Sequence, residues 1–194
     1  MESNIRKHIE TKINESLTND EFERFFTVVE LVEVKKKQQI VVEGQHSKLL
    51  FFVEKGILHS FVTDEQGKTH TIQFGFEGHW IADLYSFLSD RPAIFTIEAL
   101  EATTLLAIKQ TDFERVCRQI PKFEHFFRIL IQNAYVNSQQ RIVKTFSEDA
   151  GNRYLALIKQ QPDLLQLVPQ YLVASYLGIK PESLSRIRKN YLKK

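Results

Sequence analysis

Four glycines, Gly44, Gly56, Gly67 and Gly78, stand 12, 11 and 11 residues apart in the first half of the chain. They punctuate short runs rich in Val, Ile, Phe and Thr between Leu31 and Ile108, where helical periodicity is poor. Short strands with a turn residue after each bury a face by folding back on one another. The stretch therefore predicts an antiparallel sandwich or jelly roll. Asp64-Glu-Gln-Gly67 predicts a hairpin tip joining LHSFVT to HTIQFGF.

Helical patterns flank this block. Thr18-Asn-Asp-Glu21 has the form of a capping box, and Phe22, Phe25, Phe26 and Val29 follow at amphipathic spacing. Thr111-Asp-Phe-Glu114 is a second box, and Pro121 ends the short helix it opens. A longer helix is predicted from Lys122 to Phe146. Phe127, Ile131, Ala134, Ser138 and Ile142 form one seam on it, and Phe123, Phe126 and Leu130 widen the apolar face at its start. Such length between two domains favours a seam for a second copy of the chain. Ser147 is read as the cap of a following helix that reaches Gln160, with Pro162 and Asp163 as its break and Leu164 to Val168 as a short strand. The expected fold class is α+β. Residues 1–120 would be the sheet domain with its flanking helices, 121–147 a dimerisation helix, and 148–194 a helix-turn-helix domain.

That last assignment rests on Gln170 to Lys189, QYLVASYLGIKPESLSRIRK. Val173, Ala174 and Leu177 line one face of a first helix. Gly178 stands where a tight turn needs positive φ. Ile179 plugs the angle between the helices, and Pro181 suits the first turn of a second one. Leu184 and Ile187 turn inward, which leaves Glu182, Ser183, Arg186 and Lys189 outward. The pattern is a helix-turn-helix, whose second helix fits the DNA major groove. Charge separates it from an ordinary packing hairpin. Lys180 to Lys194 holds six basic residues and one acidic, or +5, whereas the remainder holds 20 basic and 23 acidic, or −3. Such a local patch is what phosphates attract.

Composition closes other routes. With 43% hydrophobic and 26% charged residues, the chain is globular, and fifteen phenylalanines imply an aromatic-rich core. No apolar run approaches the ~20 residues of a membrane span. MESNIRKHIE lacks the apolar stretch of a leader peptide, so a cytoplasmic protein is expected, with no membrane partner. One cysteine, Cys117, precludes an internal disulfide and any zinc or iron–sulfur site built from several cysteines of one chain. It lies in a helical pattern and reads as buried filler. The six histidines are scattered. His59, His70 and His79 fall in the sheet region without the close His-x-His pair of a cupin metal site, and Gly-x-Ser-x-Gly, P-loop and His-Glu-x-x-His motifs are missing. No enzyme activity, metal or cofactor is expected.

A β-roll, a long helix and a terminal helix-turn-helix, in that order, resemble the catabolite activator protein/fumarate-nitrate regulator (Crp/Fnr) superfamily of bacterial transcription factors. KKKQQIVVEGQHSKLLFFVEKGILHSFVTDEQGKTHTIQFGFEGHWIADL is similar to the family's β-roll, and ESLSRIRK to its recognition helix. The resemblance implies a homodimer on pseudo-palindromic promoter sites, with RNA polymerase as a further partner and a small-molecule effector in the sheet domain. It assigns base reading to Glu182 and Arg186, a phosphate or base contact to Ser183, and phosphate contacts to Lys180. Gln170, Lys189, Lys193 and Lys194 complete the expected DNA-binding set. Pro181 stands where better-known members carry another arginine, so one base contact is missing. No wing is expected after the recognition helix, so backbone contacts fall to the helices and the lysine-rich tail.

The family's cyclic-nucleotide cassette reads Gly-Glu-Leu, then an arginine and a Ser or Thr about ten residues on. Here Ala82-Asp83-Leu84 replaces the first part, and Ala93 and Ile94 stand at the arginine and hydroxyl positions. A buried phosphate facing these would lose countercharge and hydrogen bonds, at a cost on the order of several kcal/mol. Arg91 and Thr96 are the nearest substitutes. Cyclic AMP is therefore not the expected effector. Ile94, Phe95 and Trp80 are read together as an apolar effector site or a filled core. Two alternatives stand beside the regulator: a small-molecule-binding module that acts through protein contacts, and a cupin-like metal enzyme.

Overall fold

The computed structural model describes residues 2–191. They form two compact units: Met1–Ser60 with Phe74–Tyr135, and Phe61–Gln73 with Val136–Lys194. Eight strands build two four-stranded sheets. One has the order β1 (Glu30–Val34), β8 (Thr103–Lys109), β3 (Leu49–Lys55), β6 (Trp80–Ile81); the other β2 (Gln39–Val41), β7 (Thr96–Ala99), β4 (Leu58–Thr63), β5 (Thr69–Gly75). Strands β1 and β3 flank β8 antiparallel, with Val32 opposite Leu105 and Phe51 opposite Ala107. This is the predicted antiparallel sandwich.

Alternation along the strands sorts two cores. Phe51, Val53, Leu105 and Ala107 point into the sandwich, where they meet Val41, Leu58, Ile97 and Ala99 of the other sheet. Phe52, Leu106 and Ile108, on the opposite face, pack under helices. Those helices are α1 (Glu2–Ile13), α2 (Asn19–Phe26), α4 (Gln110–Gln119) and the start of α5 (Pro121–Ser147), while α3 (Leu84–Leu88) is a short helix after β6. The phenylalanines concentrate here: Phe25 stacks on Phe123 at 4.4 Å and Phe113 meets Phe127 edge-on at 4.8 Å. Gly56, at φ +100°, joins β3 to β4 where a Cβ would lie 2.5 Å from the Thr103 hydroxyl. Only glycine fits such a turn without displacement.

Local signals held or failed for physical reasons. The Thr18 box forms: Glu21 N–H donates to the Thr18 hydroxyl at 3.2 Å and Thr18 N–H to the Glu21 carboxylate at 2.8 Å. The Thr111 box does not. Helix α4 starts two residues earlier: Gln110 N–H is held by the Lys48 carbonyl at 2.9 Å where β8 ends, and Lys109 stands at the cap without a side-chain bond. Ser147 is the last residue of α5, its hydroxyl bonded back to Val143 O; Asp149 caps α6 (Ala150–Gln160) through Asn152 N–H at 2.9 Å. Leu164 to Val168 is not a strand. A single helical turn, α7 (Leu164–Leu167), forms there, with Val168 N–H bonded to Leu164 O at 2.8 Å. The segment pairs with no strand among the described residues, so local bonds satisfy its backbone. The hairpin tip forms as expected, with Asp64 accepting Gln66 and Lys68 N–H and facing His70 Nε2 at 2.7 Å.

Candidate nucleic-acid interface

Helices α8 (Gln170–Tyr176) and α9 (Pro181–Tyr191) carry the predicted motif. Gly178 has φ +68°. Its N–H bonds to Ser175 O and the Ile179 N–H to Ala174 O, both at 3.0 Å. That pair of bonds is a complete Schellman ending, and it turns the chain sharply into α9. Val173, Ala174 and Leu184 are fully buried, and Leu172, Leu177, Tyr154, Leu164 and Val168 are buried as well. Ile179 and Ile187 are half-buried. Burying a Leu in this way contributes about 1.5–3 kcal/mol, so the turn and the core fix the angle of α9 together.

One residue escaped the sequence reading. Arg153 of α6 donates from Nη2 to Leu177 O at 3.0 Å and from Nη1 to Glu148 O. It places a cation on the C-terminal carbonyls of α8, where the helix dipole is negative. Its place in the middle of a predicted helix carried no signal of this contact.

The outer face of α9 is open. Glu182, Arg186 and Lys189 are exposed, as are Lys180 and Gln170, while Ser183 is half-buried. Among the described residues, the side chains of Lys180, Glu182, Arg186 and Lys189 have no hydrogen-bond or ion-pair partner. Their charges are free to meet an outside group. Lys193 and Lys194 lie outside the described residues.

Of the predicted effector residues, Asp83 and Ile94 come together through a hydrogen bond, whereas Arg91 and Thr96 bond elsewhere. Asp83 is completely buried. Its carboxylate accepts Ser86 N–H at 2.8 Å with one oxygen, and Ile94 N–H at 2.8 Å and Phe95 N–H at 3.2 Å with the other. Ala82 and Ala93 are buried beside it and Leu84 is half-buried. Arg91 is exposed and donates to the Tyr85 hydroxyl at 3.3 Å; the Thr96 hydroxyl accepts Glu43 N–H at 3.1 Å. Ile94 is 51% exposed, Phe95 packs on the sandwich core, and Trp80 packs on Phe52 and Phe126. The expected cluster of these three is therefore three separate environments.

Comparison with known proteins agrees with this geometry. Residues 31–120 match the cyclic nucleotide-binding domain family. No curated protein matches the chain in sequence. Solved structures do match in shape. FixK2 from Bradyrhizobium japonicum superposes with a TM-score of 0.75 at 15% identity, over 86% of this chain and 85% of that one. The catabolite activator protein of Thermus thermophilus gives 0.61 at 20% identity, over 94% and 87%. A Crp/Fnr-family transcriptional regulator from Eubacterium rectale gives 0.66 at 15% identity, over 91% and 84%. The chain has the Crp/Fnr fold.

Within that fold, the long helix differs from expectation at its start. Phe127 packs against Phe113 and Phe87 at 4.8 and 6.1 Å, so it belongs to the helix's own core and not to an open seam. Ile131 and Ala134 are half-buried, whereas Ser138 and Ile142 are exposed. The large apolar side chains left in solvent are Tyr135, Val136, Ile142, Val143 and, at 87% exposure, Phe146. An isolated helical pattern cannot say which apolar face its own domain takes, and here the domain takes the first third of α5. The three histidines of the sheet region are dispersed: His59 faces Glu98 at 3.8 Å, His70 faces Asp64, and His79 lies against Phe76. Among the described residues, no cluster of three His, Cys, Asp or Glu side chains is arranged to hold a metal. Burial and the nearby Glu124 and Glu114 push the half-buried Cys117 thiol up to about 12, which leaves it a poor nucleophile. Among the described residues, no helix is long and apolar enough to cross a membrane.

Proposed function

We propose that this protein is a cytoplasmic, homodimeric transcriptional regulator of the Crp/Fnr type that binds pseudo-palindromic promoter DNA. The observation that carries the reading is the outer face of α9: an exposed, unpaired carboxylate and two exposed, unpaired cations on a helix held by a closed turn and a buried core. In this reading Arg186 forks onto guanine, Glu182 accepts from a cytosine amino group, and Ser183, Lys180 and Lys189 meet phosphates. Gln170, Lys193 and Lys194 add backbone contacts. Two copies place their recognition helices about 34 Å apart, one turn of the double helix.

The exposed stripe on α5 supports the dimer. Val136, Gln139, Val143 and Phe146 follow the 3-4 spacing of a coiled-coil seam, with Tyr135 and Ile142 beside it. RNA polymerase is the natural further partner of such a regulator. Asp83 supports the view that cyclic AMP is not its signal. The main-chain N–H groups of Ile94 and Phe95 already hold a carboxylate from the chain itself. Any effector is a different small molecule.

Fluorescence anisotropy with promoter fragments tests the reading. Sequence-selective binding that falls steeply with salt is expected. Binding indifferent to sequence, or none, rejects it in favour of a module that works through protein contacts. Calorimetry with cyclic AMP should show no saturable heat, and a saturable one would contradict the role given to Asp83.

A further inference from the structure

Strand β5 ends its sheet, so one edge of it carries no neighbouring strand. Such an edge offers bare main-chain donors and acceptors. Here a side chain takes them. The Ser175 hydroxyl of α8 accepts Thr71 N–H at 2.9 Å and donates to Thr69 O at 3.3 Å. One hydroxyl thus satisfies the two groups that a residue of an adjacent strand would pair. A second bond pair lies beside it. Arg141 of α5 donates to Ile72 O, and its guanidinium sits 5.4 Å from the centre of the Tyr176 ring. Ser175 and Tyr176 are consecutive in α8, the helix that leads into the recognition helix. Thr69, Thr71 and Ile72 all lie on β5. The hairpin arm, residues 61–73, falls in one compact unit with residues 136–194.

We propose that Ser175, seconded by Arg141, is a positioning residue for DNA recognition: it latches the first helix of the motif to the open edge of β5. The proposal rests on the regulator reading above. The latch is compatible with binding, since Glu182, Arg186 and Lys189 stay exposed while it is closed. Its role is therefore to hold the reading helix at one angle and not to hide it. The arm it holds is stiff, because Asp64 ties the hairpin tip through three bonds to Gln66, Lys68 and His70. The latch itself consists of a few polar contacts, so α8 can leave it without unfolding its own core.

The test uses the full chain as wild type, Ser175→Ala and Ser175→Thr, with two readouts. Amide hydrogen exchange at Thr71 should quicken about tenfold in the alanine variant, while Val53 and Leu105 in the sandwich core keep their wild-type rates. Affinity for the best promoter fragment should fall roughly two- to thirtyfold. Threonine, which restores the hydroxyl, should restore both. Arg141→Ala should lower affinity in the same range. An unchanged Thr71 rate in Ser175→Ala overturns the latch. A faster rate with unchanged affinity overturns the positioning role and leaves the regulator reading standing. A wild type that binds no fragment overturns both.

Discussion

Two residues show how burial and exposure divide the work. Arg186 is exposed and unpaired on α9, so its guanidinium enters a complex without first breaking an internal bond. Arg186→Ala is expected to cost about 1–3 kcal/mol in specific binding and to relax base preference at one position. Competition anisotropy against variant sites checks this, and unchanged preference would remove Arg186 from the reading face. Asp83 is its opposite, wholly buried with three main-chain donors on it. Asp83→Ala leaves those donors without an acceptor, at about 2–5 kcal/mol. Tm should drop by roughly 5–20 °C in a scanning unfolding experiment, and a wild-type Tm would contradict this account. His8 makes a third case. Burial, aided by Lys12 and His79, lowers it from 6.5 to about 4, between the edges of Phe52 and Phe126. Its folded-state value lies below the unfolded one, so the unfolded chain binds more protons between those limits. Stability is complete above 6.5 and declines as pH falls toward 4. Urea titrations across that range should show the slope flatten in His8→Phe; an unaltered slope would assign it to other groups.

At the scale of elements, α5 is the informative helix. Its first third is a core helix, with Phe123 and Phe126 buried and Phe127 wedged between Phe113 and Phe87. Further on, it leaves a stripe of large apolar side chains in solvent. Exposed apolar stripes of this kind commonly mark interaction surfaces. Phe146→Asp places a charge in the seam and should yield a monomer by sedimentation at concentrations where wild type is dimeric, with weaker promoter binding as the linked half-site is lost. A variant that stays dimeric would move the seam elsewhere. The same logic explains α1. Ile5, Ile9 and Ile13 recur at i, i+4 and i+8, and all three are buried against the sheet. That periodicity was legible, yet it is confined to one apolar residue per turn and is easily passed over beside the clearer box at Thr18.

At the scale of the molecule, charge is segregated. Lys180 to Lys194 hold the positive balance, and the rest of the chain is slightly acidic. Self-repulsion between the two regions is therefore small, while the field at α9 favours phosphate. The two compact units do not follow the chain order either: residues 61–73, though sheet residues by sequence, are grouped with the C-terminal helices. Nothing in the alternation of β5 distinguishes an edge that meets solvent from one that meets a serine of α8. The same limit applied to the cassette. Spacing places Asp83 eleven residues before Ile94, but only folding shows that the carboxylate turns back onto those N–H groups.

Much was nevertheless set by residues acting on their near neighbours. Glycines at positive φ, the Thr18 box, the Asp64 hairpin and the Gly178 turn each depend on contacts within a few residues, so the sandwich and the helix-turn-helix were readable in order along the chain. What the tertiary structure alone decided are pairings across long separations: Phe127 taken into a core, Arg153 on Leu177, Asp83 on Ile94, Ser175 on Thr71. Local periodicity reports that a side chain is apolar or that a backbone group needs a partner. Which partner it meets depends on the packing of every layer at once, and one residue's spacing carries no record of that.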